Sequence, residues 1–200
     1  MNLTLAEFKL IISRYDHVIW DYDDTLSNTV LKKGDAYVQL FKDYPEKLRL
    51  FIKEDHLQNP GVSRFIKIPK YIKAASEFID VDLKQDKFLE EFSKLCIDIL
   101  IKQPLFKSFE KIIRYSDKLI KHHVLTNMPQ IEIEKVLIYK NIYSKFKSVN
   151  GDQINKKLFL RKFLQTNSNK KIIFIGDSEG DLLAAKNNKI EFILKATKLV

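Results

Sequence analysis

Short apolar runs closed by small or acidic residues punctuate this chain. His17–Trp20, His123–Leu125 and Lys171–Ile175 are three of them, and Phe192–Leu194 makes a fourth near the end. Runs of this length that stop at a turn read as strands buried on both faces. Between them the apolar positions fall into helical spacing. Ile131–Tyr139, Leu158–Leu164 and Phe109–Ile120 show it, as do Leu3, Leu5, Phe8, Ile11 and Ile12 at the start. Strands alternating with helices predict a parallel sheet covered on both faces, a doubly wound α/β fold.

About a hundred residues separate the first two strands, far more than a simple crossover needs. Lys32–Phe41 and Phe88–Ile101 carry helix-period apolar positions, Asn59-Pro60-Gly61 signals a turn, and Pro104 breaks the pattern. The expectation is a core formed by residues 1–27 and 105–200. Residues 28–104 are expected to form a smaller, mostly helical insertion, a lid or cap at the sheet's carboxyl edge.

Composition narrows the class. With 45% hydrophobic residues and 14 Phe, the chain can bury a sizeable core. The lone Cys96 excludes an internal disulfide and a multi-cysteine metal site. The first twenty residues lack a basic leader, a continuous apolar stretch and a small-residue cleavage site. No apolar run approaches the ~20 residues that span a bilayer. A cytoplasmic protein with no membrane partner is expected. The net charge of +9 raises a nucleic-acid partner. Its lysines are spread along the whole length, however, which fits attraction to a small anionic molecule better.

Chemistry gathers where the strands end, which is where ligands bind in open α/β sheets. The first strand runs into Asp21-Tyr22-Asp23-Asp24-Thr25-Leu26. Carboxylates two apart on an extended segment share a side, and their mutual repulsion calls for a cation or a proton between them. The second strand ends in Thr126-Asn127, and the third in Gly176-Asp177-Ser178-Glu179-Gly180-Asp181. Asn155 is a candidate N-cap with Lys156 and Lys157 behind it.

Asp-x-Asp-x-Thr-Leu, Thr-Asn, a lysine at a helix start and Gly-Asp-Ser-x-x-Asp, in that order, resemble the haloacid dehalogenase superfamily. Within it the match is to the magnesium-dependent aspartyl-phosphate phosphatases. The resemblance implies a Rossmann-like core and a fixed set of roles. Asp21 would be the nucleophile and Asp23 the general acid–base. Thr126 and Asn127 would hold the phosphoryl group. Lys156 would balance charge, with Lys157 as the neighbouring alternative. Mg²⁺ would sit on Asp21, the Asp23 backbone carbonyl and Asp177, with Asp181 nearby or capping its helix. Gly176 and Gly180 would permit the tight loop.

In the insertion, Gly61, Ser63, Arg64 and Lys67 are candidates for contacting the rest of the substrate, or form a solvated helix start. His17, His56, His122 and His123 show no ligand spacing and are read as structural or exposed. The departures are Asp24 where glycine is commoner, Asn28 where an acid is usual, and the lack of the Pro or Gly that often follows the lysine matched by Lys156.

The implied function is hydrolysis of a phosphate monoester on a small metabolite. A phosphomutase or phosphotransferase differs only in the acceptor that reaches the aspartyl-phosphate. A nucleic-acid end phosphatase and a non-catalytic binding protein are the rivals from other classes.

Overall fold

The computed structural model describes residues 4–59, 62–78, 84–115, 119–152 and 155–195. The chain divides into two compact units, one of residues 1–28 with 104–200 and one of residues 29–103.

The first unit is built on five parallel strands: β1 (His17–Trp20), β2 (Lys121–Leu125), β3 (Phe146–Asn150), β4 (Ile172–Gly176) and β5 (Glu191–Leu194). Their order is β3-β2-β1-β4-β5. β1 therefore lies between β2 and β4, where the chain's successive crossovers change direction, and such a switch point opens a crevice at the strands' carboxyl ends.

One face of the sheet packs α8 (Lys156–Thr166) and α9 (Glu179–Asn187) over Ile19, Leu125, Ile172 and Phe174. On the other, Phe8 of α1 (Leu5–Ile12) and Phe109 of α6 (Lys107–Tyr115) pack on Trp20. Helix α1 starts at a full capping box, Thr4 exchanging hydrogen bonds with Glu7. Helix α7 (Gln130–Tyr139) links β2 to β3 and buries Ile133, Val136 and Leu137.

The four apolar runs are strands as expected; His17–Trp20 keeps its bounds, and the other three shift at their ends by one or two residues. β3 was not anticipated, because Phe146-Lys-Ser-Val-Asn150 lacks a continuous apolar run. It is an edge strand, and only Phe146 is fully buried. Phe109–Ile120 is helical only to Tyr115, and residues 116–118 lie outside the described residues.

The four histidines are all buried. Trp20 Nε1 donates to His122 Nδ1 at 3.0 Å, while His17 Nδ1 and His123 Nε2 share a 2.9 Å bond. His123 Nδ1 meets Ser148 Oγ, also at 2.9 Å. Polar residues in the middle of a sheet are tolerated here because their ring nitrogens are paired.

The second unit contains four helices among its described residues: α2 (Val30–Leu40), α3 (Glu46–Gln58), α4 (Arg64–Ala75) and α5 (Gln85–Lys102). Tyr37 stacks on Phe92 at 4.1 Å and meets Tyr71 edge-on. Ser63 Oγ accepts the Phe65 amide, so this hydroxyl starts α4. The Arg64 guanidinium lies 4.8 Å above the Phe92 ring.

Lys67, expected on a substrate-facing surface, is buried in the unit's own core. His56 Nε2 faces the Val30 carbonyl at 3.0 Å and so carries the proton, which leaves Nδ1 to accept from Lys67 Nζ at 3.0 Å. Gly61 lies outside the described residues. No helix among them is long and apolar enough to cross a membrane.

Candidate active site

Parallel pairing of β1 with β4 sets the site. Trp20 is level with Ile175, and Asp21 N donates to Ile175 O at 2.9 Å, so Asp21 leaves the sheet beside Gly176 and Asp177. Asp21 is almost fully buried.

After Asp21 the chain turns back at once. The amides of Leu26 and Ser27 both reach Tyr22 O, at 2.9 and 3.3 Å. Asp24 takes the left-handed conformation at φ 50°. Glycine is the usual solution there, and aspartate is among the few other residues that tolerate it. The turn brings Thr25 Oγ1 to Asp177 Oδ1, to which it donates at 3.1 Å.

The loop after β4 is built around Asp181. Ser178 caps α9: its Oγ donates to Asp181 Oδ2 at 2.6 Å and accepts the Asp181 amide at 3.1 Å. A Cβ on Gly176 would fall 2.7 Å from Asp181 Oδ2, so glycine is needed there to let the carboxylate close in. Gly180 is different. A Cβ would only touch Ser178 Oγ at 3.6 Å, and its φ is not positive, so this glycine is not required by the loop.

Lys156 closes the cluster. Asn155 Oδ1 accepts the Lys157 amide, which makes Lys156 the first residue of α8. From there Nζ donates to Asp21 Oδ1 and to Asp181 Oδ1, both at 2.6 Å. Lys157, by contrast, is exposed.

Burial pushes the Asp21 carboxyl up. Lys156 counters that rise, while Asp181 and Asp23 add to it. Asp177 is likewise raised by burial, eased by the Thr25 hydroxyl and worsened by Asp181 and Asp24. Burial works against the Lys156 ammonium too, but Asp21 and Asp181 outweigh it and raise that group. The pocket therefore holds more negative charge than the lysine answers.

Asp21, Asp177 and Asp181 present carboxylate oxygens all within 4.8 Å of one another. Hard oxygen donors in a pocket short of positive charge suit a divalent cation such as Mg²⁺. Asp23 is half-buried and acts on Asp21 electrostatically, and its carboxylate is not part of this cluster.

Thr126 and Asn127 follow β2, one strand over from β1. The Thr126 amide bonds Asn150 O at 2.9 Å, and its Oγ1 accepts the Met128 amide at 3.3 Å. The buried hydroxyl keeps its own proton to donate. Asn127 is exposed. Gly151 holds this loop: its amide donates to Gln130 Oε1 at 2.6 Å, and a Cβ would strike Met128 O and the Gln130 amide.

Gly151 escaped the sequence reading, although a glycine after a strand was a visible cue. Lys195 escaped it too. This side chain is only 3% exposed, its Nζ donates to the Asp24 carbonyl, and it lies 3.4 Å from the Phe106 ring centroid. One lysine among many carries no signal of that kind.

Ser63 and Arg64 belong to the second unit, where a helix start and an aromatic ring engage them as described above.

A family model described as haloacid dehalogenase-like hydrolase matches residues 15–188. No curated protein sequence matches the chain. Solved structures share the fold at low identity. A predicted phosphoglycolate phosphatase from Haemophilus somnus is 17% identical at a TM-score of 0.69, over 90% of this chain and 85% of its own. A provisionally assigned β-phosphoglucomutase from Thermotoga maritima is 19% identical at 0.68, over 88% and 83%. A provisionally assigned hydrolase of this superfamily from Bacillus subtilis, YfnB, solved bound to magnesium, is 15% identical at 0.67, over 90% and 87%.

Proposed function

The chain belongs to the haloacid dehalogenase-like hydrolases, and from that premise we propose that it is a Mg²⁺-dependent phosphatase. Its substrate is a small phosphorylated metabolite, cleaved through a phosphoryl group carried on Asp21. The observation that carries this reading is the buried Asp21–Lys156–Asp181 chain beside Asp177, in which one carboxylate meets an ammonium at 2.6 Å at the mouth of β1.

In the first step a carboxylate oxygen of Asp21 bonds to phosphorus. The ester P–O bond breaks, and its electron pair leaves with the alcohol oxygen. Asp23 gives that oxygen a proton. In the second step Asp23 takes the proton back from a water that attacks phosphorus, which frees phosphate and restores Asp21. Acid–base help of this sort typically contributes ~10²–10⁴-fold. Lys156 orients Asp21 and answers the charge that accumulates on the phosphoryl oxygens, and the Thr126 hydroxyl with Asn127 would hold those oxygens.

Asp21, Asp177 and Asp181, together with the backbone carbonyl of Asp23, would hold Mg²⁺. The ion, when bound, neutralises phosphate charge.

For Ser63 and Arg64 the proposal is recognition of the substrate's non-phosphate part. Membership of a hydrolase family favours water as the acceptor over a second sugar hydroxyl. The test is turnover of an aryl phosphate by the purified protein with Mg²⁺, lost in Asp21→Asn. Undiminished turnover in that variant removes the reading.

A further inference from the structure

We propose that Lys195 is a positioning residue for the proton-transfer step, acting on the turn that carries Asp23. The proposal rests on the phosphatase reading above. Lys195 lies beyond residues 15–188, the stretch matched by the family model, and belongs to none of the motifs.

Its placement follows from the sheet. β5 pairs with β4, and the Lys195 amide extends that pairing by donating to Gly176 O at 2.8 Å. Residue 195 is thereby brought level with the end of β4, where Asp177 begins. A lysine is seldom buried without a partner. This one reaches inward, gives its Nζ to the Asp24 carbonyl and packs that end against Phe106.

The carbonyl it grips lies between the two working side chains of the turn. Asp23 precedes it, and Thr25, which donates to Asp177 Oδ1, follows it. Asp24 is also the left-handed residue, where an L-residue gains least from its own backbone preference. An external donor on its carbonyl therefore fixes both neighbours at once. The carboxylates of Asp24, Asp177 and Asp21 all act on the Lys195 ammonium. The acidic pocket thus has two buried cations: Lys156 on the Asp21 and Asp181 side, and Lys195 on the Asp24 side.

If Lys195 acts through Asp23, its loss must be felt where a proton has to be supplied. An alkoxide leaving group needs the acid, whereas a nitrophenoxide scarcely does. In Lys195→Met, kcat/KM for an alkyl phosphate falls by on the order of 10²-fold, and for p-nitrophenyl phosphate by less than about tenfold. Lys195→Arg, which keeps a charge and a donor, restores most of the alkyl rate. Amide hydrogen exchange supplies a readout without turnover. The Leu26 and Ser27 amides, both bonded to Tyr22 O, exchange faster in Lys195→Met, while those of α7 do not.

Equal losses on both substrates, or unchanged exchange at Leu26 and Ser27, overturn the proposal. A wild-type protein that turns over neither substrate removes the phosphatase reading and the kinetic claim together, whatever exchange shows. Wild-type turnover with no leaving-group split removes the Lys195 proposal alone.

Discussion

Lys156 Nζ stands 2.6 Å from Asp21 Oδ1 across 135 positions of sequence, and the same nitrogen holds Asp181. The start of α8 is thereby tied to the end of β1 and the start of α9. Two carboxylates that would repel one another share one ammonium. Lys157, the next residue, is exposed on the outside of the same helix turn.

That contrast separates the two lysines experimentally. Lys156→Met is expected to lower kcat/KM on an aryl phosphate by ~10²-fold or more, through lost orientation and charge balance. It should also cost several kcal/mol of stability, because breaking a buried pair leaves a carboxylate unanswered, typically ~3–5 kcal/mol. Lys157→Met should change the rate by less than about threefold and stability by less than about 0.5 kcal/mol. Steady-state kinetics with urea unfolding checks both, and a reversal of the two variants would reassign the lysine.

Cation binding can be read without catalysis. A ligand that binds only the folded state stabilises it by RT ln(1 + [L]/Kd), about 2.7 kcal/mol at a hundredfold excess over Kd. Mg²⁺ should therefore raise the wild-type Tm. Asp177→Asn should abolish most of that rise without needing any substrate. A Tm indifferent to Mg²⁺ in the wild type would remove the metal from the account.

The buried histidines set a pH limit on stability. Burial pushes His122 down to about 4 and His123 down to about 3, from an ordinary value near 6.5. Below about pH 6.5 the unfolded chain takes up protons that the folded protein refuses, so stability rises with pH. It is fully present above about pH 6.5 and is lost as pH falls towards about 4, by ~1.4 kcal/mol per pH unit for each such group. The urea midpoint should fall between about pH 7 and about pH 5, and His122→Gln should flatten the fall. A midpoint that rises on acidification contradicts the assignment.

Much of this was legible in order along the chain. The apolar runs at His17–Trp20 and Lys171–Ile175 mark strands because burial on both faces demands continuous apolarity. The residues just after them meet because a parallel sheet gathers its strands' carboxyl ends at one edge. Lys156 was legible through Asn155, a cap that fixes where α8 begins.

What stayed hidden depends on contact rather than on pattern. β3 is an edge strand buried only at Phe146, so no apolar run announces it. Lys67 looked like a surface cation until His56 and Tyr37 enclosed it. Lys195 gains its meaning only from the Asp24 carbonyl 171 positions away. Gly180 carries the opposite lesson, since a glycine within a motif need not be there for its backbone.

The central claim is that Asp21 itself carries the phosphoryl group, and acid quenching during turnover followed by borohydride reduction tests it most directly. Reduction converts a phosphorylated aspartate to homoserine, which peptide mass spectrometry locates. The account predicts homoserine at position 21, dependent on substrate and Mg²⁺ and missing from Asp21→Asn. Turnover with homoserine at position 23 or 177, or at none, would contradict it.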